Sequence, residues 1–506
     1  MYLFIFVVNT AIALAVLCIW RRDFLSRICD IYLVYRYPIH DFETGQPLPT
    51  HPYVFPNGQG NYEKLVRGRE NSPKWAKEYG PLYRIWSGFT GEIIVTRPAD
   101  IEAVFRDSHA HIKAIGNNFG YLGHRLIGDC LGLVSGSVWR SIRRATEPPL
   151  LRTSTASHVD TVKEEARNHL AGVIDPTSKS GQLHIKTDLR FYPFNALARI
   201  LYGELSPELQ TRLLAFIPAR DKINIAIVLG GMTRFWFSKF LPLSDIQILE
   251  KFKSEWSQWN DDAHREAVEK AASGQAKQPG PIIQMYEAVA DGSMTREALL
   301  QTLDEMLFGN LDVAVVALAW DLVFLANDQG AQNRVLEEIR NECTPEKEDA
   351  FLLSQNNFLQ NIILEAGRLR PASPFSISQS CPTPRRVGNF MFPAGTNFVV
   401  DSYALNVRDP LWGPDNTTFR PERWQEGGVK RAKDIRYCYW RFGFGPRLCV
   451  GKYVADLMLK TMIVELVKDW ELKLVKENGE PWAFDPETCF SLDDPDMRLS
   501  YTRRKQ

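Results

Sequence analysis

FGFGPRLCVG, residues 442–451, gathers three glycines, one proline and one arginine around a single cysteine, Cys449. So many glycines in ten residues mark a loop whose backbone turns tightly or lies close against something. The chain has 8 cysteines, at 18, 29, 130, 343, 381, 438, 449 and 489, and none forms a C-x-x-C pair. A zinc ribbon or a thioredoxin-type site therefore finds no support. His109 and His111 form one H-x-H pair, which alone reads as loop or pocket wall before it reads as a metal site. Taken alone, Cys449 is either a buried thiol in a glycine turn or a thiol held out for one purpose.

The rest of the chain bounds the choice. It has 506 residues, 45% hydrophobic and 24% charged, ample for a large core. Lys+Arg and Asp+Glu are both 60, so no basic surplus points to nucleic acid. Residues 1–20, MYLFIFVVNTAIALAVLCIW, are nearly all apolar and run straight into Arg21-Arg22. As a helix, about 19 such residues span roughly 28 Å, enough to cross a bilayer. The basic pair keeps the following residues cytosolic. A cleaved leader is the rival reading; it wants basic residues before the apolar stretch and small residues after it. The expected organisation is an anchor over 1–20, a basic and proline-rich connector over 21–61 and one large domain over 62–506. Apolar periodicity predicts helices over 137–150, 156–173, 206–218, 243–273, 295–327, 330–342 and 356–370. Strands are predicted over 82–88 and 92–96, and a hairpin over 388–400 turning at Pro393-Ala394-Gly395. The fold class is mainly α with small β-sheets.

Residues 299–327 are almost wholly apolar, yet Asp304, Glu305, Asp312 and Asp321 argue against lipid and for a buried core helix. Gly309-Asn310-Leu311-Asp312 is expected to interrupt it, either as a packing kink or where something bulky and flat approaches.

A lone cysteine thiolate is a known axial ligand of haem iron. That role accounts for the loop. Gly443 and Gly445 clear the approach to a porphyrin face. A helix beginning near Val450 favours the thiolate through its N-terminal dipole. Arg447 is placed to reach a haem propionate. At this point the sequence resembles a family: FGFGPRLCVG fits the cytochrome P450 signature F-G-x-G-x-R-x-C-x-G at every defined position, Gly451 included. Glu365-Ala366-Gly367-Arg368 is similar to the family's E-x-x-R. Phe419-Arg420-Pro421-Glu422-Arg423-Trp424 is similar to F-x-P-E-R-F, with Trp for the last Phe. Trp139-Arg140-Ser141-Ile142-Arg143 is similar to W-x-x-x-R. The resemblance spans nearly the whole chain and extends to the anchor and connector of the microsomal branch.

The resemblance implies haem b with Cys449 as iron ligand, Phe442 packed near the thiolate, Trp139 and Arg143 on a propionate with Arg447 helping, and a buried Glu365–Arg368–Arg423 network. It implies electrons from an NADPH-cytochrome P450 reductase and a lipophilic small-molecule substrate. It also implies a single-pass location in the endoplasmic reticulum membrane, with the catalytic domain in the cytosol. The sequence departs from the family in the helix over the haem. Where the family carries A/G-G-x-D/E-T, this chain has Gly309-Asn310-Leu311-Asp312-Val313 and then Ala314. The acid is present and the threonine hydroxyl is not. Asp312, Val313 and Ala314 are thus the candidate catalytic positions. The expected activity is monooxygenation, in a pattern resembling fungal enzymes of secondary metabolism. The alternative is ring closure, coupling or desaturation without net oxygen insertion; a haem-binding sensor or carrier without turnover is a third reading. The apolar residues 223–243 read either as core or as the roof of a lipophilic pocket.

Overall fold

The computed structural model describes residues 21–113, 119–275, 279–425, 435–476, 478–481 and 498–505. The apolar stretch 1–20 lies outside them. The chain packs as two compact units, one of residues up to 126 with 222–249 and 375–401, the other of 127–221, 250–374 and 402–506.

The first unit is built on a five-stranded sheet. β1 (Leu82–Ser87), β2 (Thr90–Val95), β3 (Ile112–Lys113), β5 (Gln379–Ser380) and β8 (Asn397–Val400) lie in the order β1-β2-β8-β5-β3. β1 is buried along its whole length because both its faces are covered. Tyr83 and Ile85 pack with Trp75 of helix Gly68–Tyr79, and Trp86 packs with Leu33 and Tyr53. Leu33 lies in a helix over residues 21–36, and Asp30 accepts the Tyr53 amide at 2.8 Å. Part of the expected connector is thus helical.

The expected hairpin over 388–400 does not form. β6 (Arg385–Val387) pairs instead with β7 (Phe390–Phe392) around Gly388-Asn389, where Gly388 has φ +54°. Beyond Pro393-Ala394-Gly395, β8 runs parallel to β2 and antiparallel to β5. All four β8 residues are buried, and a strand buried on both faces belongs inside a sheet.

The second unit surrounds the helix Arg296–Asn327, which Thr295 caps by accepting the Ala298 amide at 3.1 Å. Among the described residues it is the helix long and apolar enough to cross a membrane, but 67% of its apolar window is buried, as a core helix requires. Helices Phe191–Tyr202, Phe358–Leu369 and Lys452–Val467 pack around it. β4 (Ser180–His184), β9 (Trp470–Val475) and β10 (Arg498–Arg503) form a small sheet with β10 in the middle. The long helix is unbroken, so the expected interruption at 309–312 is absent. Asn310 Nδ2 donates to the Met306 carbonyl one turn back at 2.8 Å, keeping its polar group within the helix. The helix expected over 137–150 stops at Thr146 because Pro148-Pro149 turn the chain into a 3₁₀ segment.

Candidate active site

The cysteine loop is held by its own backbone. The Cys449 amide donates to the Phe442 carbonyl at 2.9 Å, closing the loop across the motif. Gly443 and Gly445 have φ +91° and +69°, a region open mainly to glycine. A Cβ at Gly451 would stand 3.9 Å from the Cys449 sulfur, and the Gly451 amide donates toward that sulfur. Burial raises the thiol's pKa, and the Glu305 charge raises it further, whereas the Gly451 amide, Arg143 and Lys452 act in the opposite sense. The side chain keeps open surface despite this desolvation. Helix Lys452–Val467 begins three residues after Cys449, close to the expected start.

Two guanidinium groups flank this loop. Arg143 and Arg447 sit over the Trp139 ring at 5.2 and 4.9 Å. Arg143 pairs with Glu147, its Nε donating at 2.8 Å, and donates from Nη1 to the Pro446 carbonyl at 2.5 Å. Arg447 donates to the Val134 carbonyl at 2.6 Å and to the Ser135 hydroxyl at 3.4 Å, both neutral acceptors. Burial, aided by neighbouring Arg143, pushes the Arg447 pKa down to about 10. A second anion beside these two cations is electrostatically favourable.

The long helix bears an open stripe in an otherwise buried setting. A Cβ at Gly309 would meet no atom within 4 Å, and Val313, one turn on, is 56% exposed. Asp312 is also exposed, and Ala314 is buried in the helix packing. The structure therefore brings Gly309, Asp312 and Val313 to accessible positions and turns Ala314 away. Partial desolvation raises the Asp312 carboxyl pKa, Asp221 adds to the rise, and Arg190, Arg220 and Lys186 oppose it. Around it lie two ion pairs, Arg190–Asp221 at 2.8 Å and the buried Arg220–Asp304 at 2.9 Å.

Sequence reasoning missed a clamp between this helix and the segment before Trp139. Gln301 Oε1 accepts the Asp129 amide at 2.7 Å, Thr302 Oγ1 the Leu131 amide at 3.1 Å and Glu305 Oε2 the Gly132 amide at 2.9 Å. Glu305 approaches so closely that a Cβ at Gly132 would stand 1.8 Å from Oε1. The clamped segment continues to Val134 and Ser135, which hold Arg447. An acid in an apolar helix and a glycine ahead of W-x-x-x-R were the available signals.

The expected charged network is present and fully buried. Glu365 accepts from Arg368 Nε at 2.9 Å and Nη2 at 2.8 Å, from Arg423 Nε at 2.8 Å and from the Arg420 amide at 3.1 Å. Trp424, the departure from the family motif, donates its indole N–H to Glu365 at 2.9 Å. Arg368 also donates to the Asn406 and Asn416 carbonyls at 3.1 and 2.6 Å.

The cytochrome P450 family profile matches residues 47–499. Cytochrome P450 monooxygenase asaD of Aspergillus flavus is 40% identical over 481 residues, covering 95% of this chain and 91% of the relative. Cytochrome P450 monooxygenase aclC of Aspergillus oryzae is 39% identical over 478 residues, covering 94% and 96%. Cytochrome P450 monooxygenase gliC of Aspergillus fumigatus is 34% identical over 466 residues, covering 90% and 89%. The chain belongs to the cytochrome P450 family of monooxygenases, with its mainly helical fold and small sheets. The family uses haem b with a cysteine thiolate on the iron, draws electrons from a redox partner and acts on small molecules. The open Cys449 sulfur, the Arg143–Arg447 cation pair and the side-chain-free surface at Gly309 fit that group.

Proposed function

We propose that this chain is a membrane-anchored monooxygenase that oxidises a lipophilic small molecule in fungal secondary metabolism. In this reading Cys449 ligates haem b, and NADPH-cytochrome P450 reductase is the electron donor. The observation that carries it is the Cys449 loop, closed by the Cys449 amide donating to the Phe442 carbonyl, with the thiol facing the Gly451 amide and within electrostatic reach of Glu305, which lies one turn before the open Gly309–Val313 stripe. When bound, haem b supplies activation of dioxygen. The chain's own residues supply the rest. Trp139, Arg143 and Arg447 bind the propionate side, while Phe442, Gly443, Gly445 and Gly451 shape the thiolate loop. Asp312 offers a carboxyl whose affinity for a proton is raised by partial desolvation. The fungal relatives support the metabolic setting, and residues 1–20 followed by Arg21-Arg22 support a single-pass endoplasmic reticulum anchor with the domain in the cytosol.

A second reading, ring closure, coupling or desaturation without oxygen insertion, is favoured by one observation. Val313 is accessible where the family has threonine, so no hydroxyl stands at that position to guide a proton. The test is turnover with reductase, NADPH and oxygen-18, following a ligand-binding spectral screen for substrates. Labelled product supports monooxygenation; unlabelled oxidised product supports the second reading. Cys449→Ala must abolish the red-shifted Soret band of the reduced carbon monoxide complex, and a retained band refutes the ligand assignment.

A further inference from the structure

Within the first unit lies a cavity of about 360 Å³, at the low end of the roughly 300–1,000 Å³ range of small-molecule sites. Four cations line it: Arg22, Arg67, Lys74 and Arg234. Two are already engaged with carboxylates, Arg67 with Glu70 at 3.0 Å and Arg234 electrostatically with Glu92. Among the described residues the Arg22 side chain donates only to the Phe55 carbonyl, at 3.1 Å, and Lys74 makes no ion pair. Glu63 is the one acid in the lining, and it accepts from Asn71 at 2.7 Å.

Asn61 is the independent sign of a ligand. It lines the cavity, is only 2% exposed, and neither its Oδ1 nor its Nδ2 has a hydrogen-bond partner among the described residues. A buried amide with both groups unspent costs about 1–3 kcal/mol for each, so such groups normally meet a partner, here water or a ligand in the cavity. The amide offers an NH₂ donor group and a carbonyl acceptor beside a surplus of positive charge. A phosphate carrying a hydroxyl or ammonium substituent uses both. Apolar side chains in the lining are also open: Leu229 is 56% exposed, Tyr62 40% and Val54 38%. Exposed cations interleaved with exposed apolar side chains suit an amphiphile better than a free anion. Arg22 also stands two residues beyond the apolar stretch 1–20, so the cavity lies where an anchored chain leaves the bilayer.

We propose that this cavity binds the phosphodiester head group of a membrane phospholipid, with Arg22 and Lys74 on the phosphate and Asn61 on the head-group hydroxyl or ammonium. The choice of a lipid over soluble phosphate rests on the anchor reading above. The role is separate from catalysis. The test uses full-length holoprotein in neutral detergent, titrated with dihexanoylphosphatidylglycerol and, separately, with inorganic phosphate, followed by phosphorus-31 line broadening. The lipid should bind at one saturable site and inorganic phosphate more weakly. Affinity for the lipid should fall about tenfold in Asn61→Leu and in the Arg22→Gln/Lys74→Gln double variant, the loss of roughly one charge-assisted contact. The double variant changes only exposed side chains, so it tests the site even where Asn61→Leu folds poorly. The reduced carbon monoxide spectrum should be unchanged in both. Undiminished lipid affinity in the double variant overturns the proposal. Inorganic phosphate binding as tightly as the lipid overturns the head-group assignment, and membrane retention of the wild type, measured alongside, tests the anchor separately.

Discussion

Replacing Glu365 by Gln is the sharpest test of what holds the second unit together. Glu365 is fully buried and receives five hydrogen bonds, three on Oε1 and two on Oε2. An amide keeps one acceptor oxygen. Placed to serve the three donors on the Oε1 side, it turns an NH₂ toward Arg368 Nε and the Trp424 indole, donor against donor. It also leaves Arg368 and Arg423, 0% and 3% exposed, without their shared anion. Removing one member of a buried ionic network costs on the order of 3–5 kcal/mol. Unfolding entropy of about 2.1 cal/mol/K per residue amounts to roughly 1 kcal/mol/K for a chain this long, so Tm should fall by about 3–5 °C. Thermal scans at a fixed rate, with haem content measured on the same samples, are the assay, because a chain of this size can unfold irreversibly. Trp424→Phe calibrates the result. It deletes a single charge-assisted bond, worth about 1.5–3 kcal/mol, so it should lower Tm less than Glu365→Gln does. The double variant should lose less than the sum, since both changes act on one network. A Glu365→Gln protein with wild-type Tm and full haem loading refutes the reasoning.

Other outcomes follow from the same geometry. Asp312→Asn should keep haem and substrate binding but lose turnover, measured as product formed per NADPH; unchanged turnover removes Asp312 from the chemistry. The pH profile carries its own sign: a carboxyl whose pKa is raised keeps its proton to higher pH, so wild-type turnover should fall as pH rises through that value, and any residual turnover of the variant should lack this limb. Gly132→Ala should lower haem content and weaken the reduced carbon monoxide band, because its Cβ would meet Glu305 at 1.8 Å; full haem loading with a normal band shows that the segment can shift without consequence.

The parts of the site legible in the sequence are those encoded within a few residues. The glycine spacing around Cys449 foretells a tight loop, and Gly443 and Gly445 take up the left-handed backbone that it needs. Glu365 and Arg368 are one helical turn apart, so their pairing is readable locally. What was not legible depends on partners far along the chain. Glu305 reads as an acid that keeps a helix out of lipid, yet its structural work is to hold Gly132, 173 residues away. β8 resembles half a hairpin until β2, some three hundred residues earlier, supplies its parallel neighbour. Gly309 reads as a break by propensity, but the buried surroundings of the helix outweigh a cost of about 1 kcal/mol.

The clamp also explains how the departure at Val313 is compatible with an intact haem-binding framework. Gln301, Thr302 and Glu305 hold residues 129–132; Val134 and Ser135 then hold Arg447, two residues before Cys449. Every link in that chain lies before Gly309 on the long helix or outside the helix altogether. Asp312 and Val313 come after it, and the electrostatic neighbours of Asp312 are Lys186, Arg190, Arg220 and Asp221. The residues that clamp the segment leading to Arg447 and the exposed pair Asp312 and Val313 are therefore separate sets, the first ending before Gly309 and the second following it. A change at 313 touches none of the contacts that hold Arg447 or close the Cys449 loop. For that reason the missing hydroxyl does not count against membership of the family.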